Sequence, residues 1–281
     1  VPGSDLHYDV ADLTLPWIGE PQTILFHHGL GASSRTWVAW LPVLADRYRL
    51  VRFDMRGHGR SASPGAKSSV SAGGAATAAV TLSLDLLADD VFAVADAVGA
   101  RDFHLVGESI GGTIALLAAS RRAERVRTLT VSNGAHLGGS IQNINDWRDI
   151  MAAGGMAGWS RHMMSKRFFE GAIGEPMWRW YEREQASASS DFVLQAVRLL
   201  AGADLSAQLE RLRMPVLLLH GDSSPFIPVA VMADLKSRLL DARLQVFAHA
   251  RHGLPFSHGK ECAQTLRRFL EEVGARTEGA G

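Results

Sequence analysis

The 281-residue chain carries 29 Lys plus Arg against 29 Asp plus Glu, so it lacks the basic excess with which proteins hold nucleic acid or anionic membranes. Hydrophobic residues make up 47% and charged residues 21%, a balance that supplies a core and excludes a disordered chain. Its single cysteine, Cys262, excludes an intrachain disulfide and a cysteine metal cluster, and no run reaches the roughly 18 apolar residues of a membrane span.

No basic segment followed by an apolar stretch opens the chain, so no leader is expected. The expectation is therefore a cytoplasmic protein with a small-molecule substrate and no nucleic-acid or membrane partner. Its oligomeric state is not legible.

In chain order, Thr23 to Phe26 reads as a buried strand ending at His27-His28-Gly29, and Leu50 to Phe53 as the next. Ser61 to Ala79 is rich in Ser, Ala and Gly and reads as a long loop. Leu84 to Val98 has helical periodicity, with Asp85, Asp89 and Asp90 near its N-terminus, where the helix dipole favours acids. A strand at Phe103 to Val106 and a helix at Gly112 to Ala119 follow, then a strand at Val126 to Val131. From about Leu137 to Leu200 the pattern is helical, with Trp147, Trp159, Trp178 and Trp180 and no strand signal. Strands at Val216 to Leu219 and Leu244 to Phe247 and a helix at Cys262 to Val273 complete the series. Strands alternating with helices predict an α/β fold: a mostly parallel central sheet flanked by helices, with a helical cap inserted between strands. The boundaries read as a core of residues 1–136 and 201–281 and a cap of residues 137–200.

Gly107-Glu108-Ser109-Ile110-Gly111 is a G-x-S-x-G sequence directly after a predicted strand and directly before a predicted helix. A serine on such a tight turn needs small neighbours, and the helix behind it turns its positive end toward the hydroxyl. Ser109 is the candidate nucleophile. Acyl transfer also needs backbone N–H groups aimed at the developing oxyanion; His28-Gly29-Leu30-Gly31 after the first strand makes Leu30, with Ile110, the candidate donor pair. A general base must take the serine proton. His252, in Ala250-Arg251-His252-Gly253 after the last strand, has the right position, with His249 and His258 as nearby competitors. His27 and His28 read as structural.

Taken together, these residues resemble the α/β-hydrolase family, which also matches Phe53-Asp54-Met55-Arg56-Gly57-His58-Gly59-Arg60-Ser61 and the stretch from Pro215 to Pro228. The resemblance implies the fold and a serine nucleophile at position 109. Within the family, Trp147-Arg148-Asp149-Ile150 and Gly155-Met156 resemble the branch containing 3-oxoadipate enol-lactonases. Fold membership leaves the reaction open: esterases, lactonases, thioesterases, amidases, C–C hydrolases and noncatalytic receptors share it.

The family's acid position, three residues after the glycine ending the Val216 strand, holds Ser224, and the alternative position after the Val126 strand reads Ser132-Asn133-Gly134. Three readings follow. Asp222 supplies the carboxylate by a shifted loop path; or a neutral group, Ser224 or Asn133, orients His252; or a carboxylate comes from the cap, or the protein binds ligands without turning them over.

The cap carries Arg148, Arg161, His162, Lys166, Arg167, Arg179 and Arg183 among tryptophans and methionines. A small ester or lactone is the expected substrate, with or without a carboxylate for such a cation to hold, and Trp147, Trp159 and Arg161 are the candidate contacts. At most one or two of the cap cations are expected to reach the site, since charges along helices usually face water. No metal or organic cofactor is expected, because Ser-His chemistry requires none.

Overall fold

The computed structural model describes residues 6–61, 81–144 and 146–278. Strands β2 (Thr23–His27) and β4 (Phe103–Glu108) are buried at every position, as the central strands of a sheet covered on both faces must be. With β1 (Tyr8–Ala11), β3 (Arg49–Phe53), β5 (Val126–Ser132), β6 (Val216–Gly221) and β7 (Ala242–Phe247) they form one sheet in the order β1-β3-β2-β4-β5-β6-β7. All neighbours pair in parallel except β1, which runs antiparallel to β3 at the edge. The six predicted strands are all present. Strand β1 is additional to them, because its four residues alternate between exposed and half-buried and carry little apolar signal.

Side chains alternate across the strands, and the core divides accordingly. Leu25 and Val51 face one cluster with Leu87, Val91 and Ile114; these come from α2 (Leu84–Ala97) and α3 (Ile110–Arg121). Ile24 and Phe26 face the other, with Trp37, Trp40, Leu266 and Phe269. This second layer consists of the 3-10 turn Ser34–Trp40, the short α1 (Leu41–Leu44) and the C-terminal helix, Gly259–Glu278. Helix α2 begins at Ser83, whose side chain accepts from the Leu86 N–H, the expected N-cap geometry. Of the three acids assigned to the start of α2, Asp85 sits in its first turn, but Asp90 is buried and paired with Arg56 at 2.6 Å. Its place is set by that ion pair rather than by the helix dipole.

Between β5 and β6 lie α4 (Asp146–Arg167), α5 (Glu175–Ala186) and α6 (Ser190–Ala201). Helix α4 is broken at Gly155, whose φ of 61° no helical residue adopts. Helices α7 (Val229–Arg238), α8 (Leu254–Ser257) and α9 (Gly259–Glu278) follow β6 and β7. The expected loop from Ser61 to Ala79 lies, after Ser61, outside the described residues. Among the described residues no helix is long and apolar enough to cross a membrane.

Candidate active site

Strand β4 delivers Ser109 to the C-terminal edge of the sheet, where ligands of open α/β sheets bind. The serine has φ 55° and ψ −121°, a sparsely populated conformation for a residue with a side chain. It is over-determined by its surroundings. The Ser109 N–H donates to the Ser132 carbonyl at 2.8 Å. A Cβ on Gly107 would lie 2.3 Å from the Gly111 carbonyl oxygen, and one on Gly111 would lie 2.6 Å from the carbonyls of His27 and His28. Both glycines of the motif are therefore required by backbone-to-backbone contact.

His252 Nε2 lies 3.0 Å from Ser109 Oγ. The His252 carbonyl accepts from Asn133 Nδ2 at 2.9 Å, while Asn133 Oδ1 accepts from the Gly221 N–H at 3.1 Å; Asn133 thus ties the histidine loop to β6 through the backbone and leaves the ring alone. Phe226 packs edge-on against the imidazole at 4.9 Å. The competing histidines lie elsewhere: exposed His249 stacks on Phe169, and His258 pairs with Ser257.

The other imidazole nitrogen, Nδ1, faces Ser224 Oγ at 3.1 Å. With Nε2 accepting from the serine hydroxyl, Nδ1 carries the proton and donates it to Ser224. Asp222 is turned away, and its assignment as the third partner is corrected. Its exposed carboxylate accepts from the N–H groups of His249 and Ala250 and from Ser223 Oγ at 3.0, 3.2 and 2.8 Å, so it braces the turn before His252 instead of the ring. Burial, then the positive charge of Arg167 and the neighbouring His220, hold the His252 pKa well below the ordinary histidine value. Those causes include no carboxylate.

The loop from His28 to Gly31 lies beside the serine turn. The Gly29 N–H donates to Glu108 Oε2 at 2.9 Å, and the Gly31 N–H to His58 Nε2 at 3.0 Å. Between them, the Leu30 N–H has no partner among the described residues. Ile110 is the first residue of α3, where N–H groups lack an intrahelical acceptor. His27 and His28 are structural: His27 Nδ1 donates to the His28 carbonyl, His28 Nδ1 to the Gly29 carbonyl, and His28 Nε2 accepts from the Met55 N–H. Burial drives His27 and His58 down to about 4 and His28 to about 3.

Of the candidate contacts from the cap, Trp159 lies over the loop, its ring 2.9 Å from where a Gly31 Cβ would stand, and Trp147 packs between Trp159 and Phe226 at 6.0 and 5.3 Å. Arg161 is exposed, and its assignment as a substrate contact is corrected, because that face of α4 turns to water. The cap cation that does reach the interior is Arg167, which is 2% exposed. It donates to the Leu30 carbonyl and lies 3.7 Å from Glu108. Sequence reasoning singles out neither Arg167 as an individual nor Glu108. An acidic residue closing a mostly apolar strand is the one available signal.

A groove of about 1070 Å³, lined in part by Arg35, Arg60, Met177 and Trp180, includes neither Ser109 nor His252. Among the described residues, no group of three or more His, Cys, Asp or Glu is placed to hold a metal.

The model of the alpha/beta hydrolase fold family matches residues 22–169, and the chain belongs to that family. It is a hydrolase of that class. A non-heme haloperoxidase of Rhodococcus erythropolis is 27% identical to it, covering 90% of this chain and 93% of its own. A pimeloyl-[acyl-carrier protein] methyl ester esterase of Photobacterium profundum is 29% identical, covering 90% and 96%. The solved enol-lactonase from Burkholderia xenovorans LB400 superposes with a TM-score of 0.79 at 20% identity, over 95% of this chain and 96% of that one; this likeness is one of fold.

Proposed function

We propose that this hydrolase cleaves a small ester or lactone through an acyl-enzyme on Ser109, with His252 as general base and the Leu30 and Ile110 N–H groups as the oxyanion hole. The observation that carries the reading is the 3.0 Å contact between Ser109 Oγ and His252 Nε2 at a strained strand-to-helix turn. The serine oxygen attacks the carbonyl carbon as its proton passes to Nε2, and the two N–H groups receive the oxyanion. The imidazolium then protonates the leaving oxygen as the C–O bond breaks. Water, activated by the same nitrogen, releases the acid and restores the serine.

In this reading the third member is Ser224, a neutral dipole on Nδ1. It selects the tautomer but lends the imidazolium little charge stabilisation, so turnover rests chiefly on the oxyanion hole. The methyl ester esterase among the relatives favours an oxygen ester, while proteins named as carbamate hydrolases at similar identity keep an amide, and with it a thioester or C–C bond, as the alternative. With Arg161 exposed and Arg167 engaged internally, the proposal carries no requirement for a substrate carboxylate. Residues 137–200 act as the cap on a core of residues 1–136 and 201–281, with Trp147 and Trp159 walling the site. A single buried cysteine, Cys262, fits a reducing compartment, and the cytoplasm is the proposed location.

The lack of a carboxylate at Nδ1 among the described residues favours one second reading: a ligand-binding member of the fold with weak turnover. Intact mass after exposure to a fluorophosphonate separates the two. Hydrolysis predicts one adduct on wild type and none on Ser109→Ala, together with turnover in an ester and lactone panel. An unlabelled wild type would overturn the first reading in favour of the second.

A further inference from the structure

The backbone at the proposed oxyanion donor is held at every hydrogen-bonding group but one. The three peptides between His28 and Gly31 present six such groups. The His28 carbonyl accepts from His27 Nδ1, and the Gly29 N–H donates to Glu108 Oε2. The Gly29 carbonyl accepts from His28 Nδ1 and from the Ala32 N–H. The Leu30 carbonyl accepts from Arg167, and the Gly31 N–H donates to His58 Nε2. The sixth, the Leu30 N–H, has no partner among the described residues. With the planes on both sides tied, the direction of that N–H is set in advance of any substrate.

Two of these ties come from one buried ion pair that joins three separate elements. Glu108 ends β4, immediately before Ser109. Arg167 is the last residue of α4, in the region proposed as the cap. Their side chains are only 3% and 2% exposed. Burial pushes the Glu108 carboxyl upward, against the opposing pull of Arg167 and the Gly29 N–H. The guanidinium is itself oriented: Nε donates to Gln185 Oε1 at 2.6 Å, and Gln185 Nε2 donates in turn to Ser160 Oγ at 3.3 Å. Its face lies against the Tyr181 ring at 5.6 Å.

We infer that Arg167, acting with Glu108, is a positioning residue: it fixes the Leu30–Gly31 peptide so that the Leu30 N–H is preset to receive the oxyanion, and it makes that preset depend on the seating of α4. The side chains of the pair bond neither Ser109 nor His252, and the Arg167 charge reaches the imidazole only at a distance. A site whose histidine is backed only by Ser224 depends more heavily on such preorganisation, since the oxyanion hole then supplies most of the remaining rate. This inference rests on the reading of Ser109 as nucleophile and Leu30 as donor.

The test uses 4-nitrophenyl acetate as substrate and phenylboronic acid as a mimic of the tetrahedral state, on the full chain. The paired substitution Arg167→Met with Glu108→Gln removes both charges at similar volume, which buried ion pairs often tolerate without loss of stability. The side-chain amide introduced by Glu108→Gln still accepts from the Gly29 N–H, so the lost anchor is the one on the Leu30 carbonyl. Expected are a kcat about 10- to 100-fold lower, the scale of a small misplacement, a KM within about twofold, and a matching loss of boronic-acid affinity. Should that variant fail to fold, Arg167→Lys keeps the charge but cannot reach Leu30 and Gln185 together, and a smaller fall in kcat at unchanged KM is expected. A folded variant of either kind with wild-type kcat, or one whose loss lies in KM alone, overturns the inference. Ser109→Ala is run alongside. If it hydrolyses the ester at the wild-type rate, the reading of the nucleophile fails, and this inference with it; if it is inactive, the Arg167 result stands by itself.

Discussion

Replacing Ser224 by Asp places a carboxylate where His252 Nδ1 now meets a hydroxyl at 3.1 Å. At that separation, with an effective dielectric of about 20, an imidazolium–carboxylate pair has an attraction of about 5 kcal/mol. Desolvating the new carboxylate takes back several kcal/mol, although the Ile227 N–H, which now points at Ser224 Oγ from 3.4 Å, remains to bond it. The net gain should be about 1–3 kcal/mol, the range by which charged hydrogen bonds exceed neutral ones. Because the imidazolium forms during attack by the serine, this gain enters the barrier directly, and kcat on 4-nitrophenyl acetate should rise about 5- to 150-fold. The pH profile provides a second readout. A base must be neutral, and burial holds the His252 pKa well below the ordinary histidine value; wild-type kcat/KM should therefore hold as pH falls below 6.5. A new carboxylate raises that pKa, so the acid limb of Ser224→Asp moves to higher pH. A folded variant with unchanged or lower kcat and an unmoved acid limb would refute the argument that Ser224 occupies the place of a triad acid.

Asp222→Asn should lower kcat by less than about tenfold, against about four orders of magnitude for loss of a true triad carboxylate, and cost about 1 kcal/mol in a urea melt, because Asp222 bonds His249 and Ala250 rather than the ring. Arg161→Ala should leave kcat and KM within about twofold, as expected of an exposed side chain; a large rise in KM would return it to the site. Acid should unfold the protein steeply. His27, His28 and His58 are buried and pushed down to about 4, 3 and 4, so they stay neutral in the fold while the unfolded chain takes up protons below pH 6.5. Stability is complete above that value and falls as pH drops toward 4, by about 2 kcal/mol at pH 5 for one such histidine. Guanidinium melts at pH 7 and pH 5 would show the fall, and equal midpoints would refute the assignment.

Much of the molecule is legible in the sequence because the relevant constraints are local. Strand β4, a serine between glycines and the start of α3 can be read from 10 consecutive residues, Phe103 to Gly112, and Gly107 is required by its contact with Gly111 within that segment, although Gly111 itself is required by the distant His27 and His28 carbonyls. The placement of His252 after β7 follows from strand order alone. The helical character of residues 137–200 shows in its periodicity, although Gly155 interrupts α4 at a point that periodicity does not mark.

What the sequence leaves open are choices between near neighbours, and these only the tertiary structure decides. Asp222 and Ser224 are two residues apart in one turn; three donors from the His249 loop and Ser223 capture the carboxylate, and so the hydroxyl is left opposite the imidazole. Arg161 and Arg167 lie on one helix six residues apart, about 240° around its axis, and the packing of α4 turns the first to solvent and the second to Glu108. Composition and spacing determined the fold and the serine–histidine pair because short-range sterics and burial pattern act along the chain. The neutral partner of His252 and the buried cation behind Leu30 are products of long-range packing, which places groups 28 and 137 residues apart in contact.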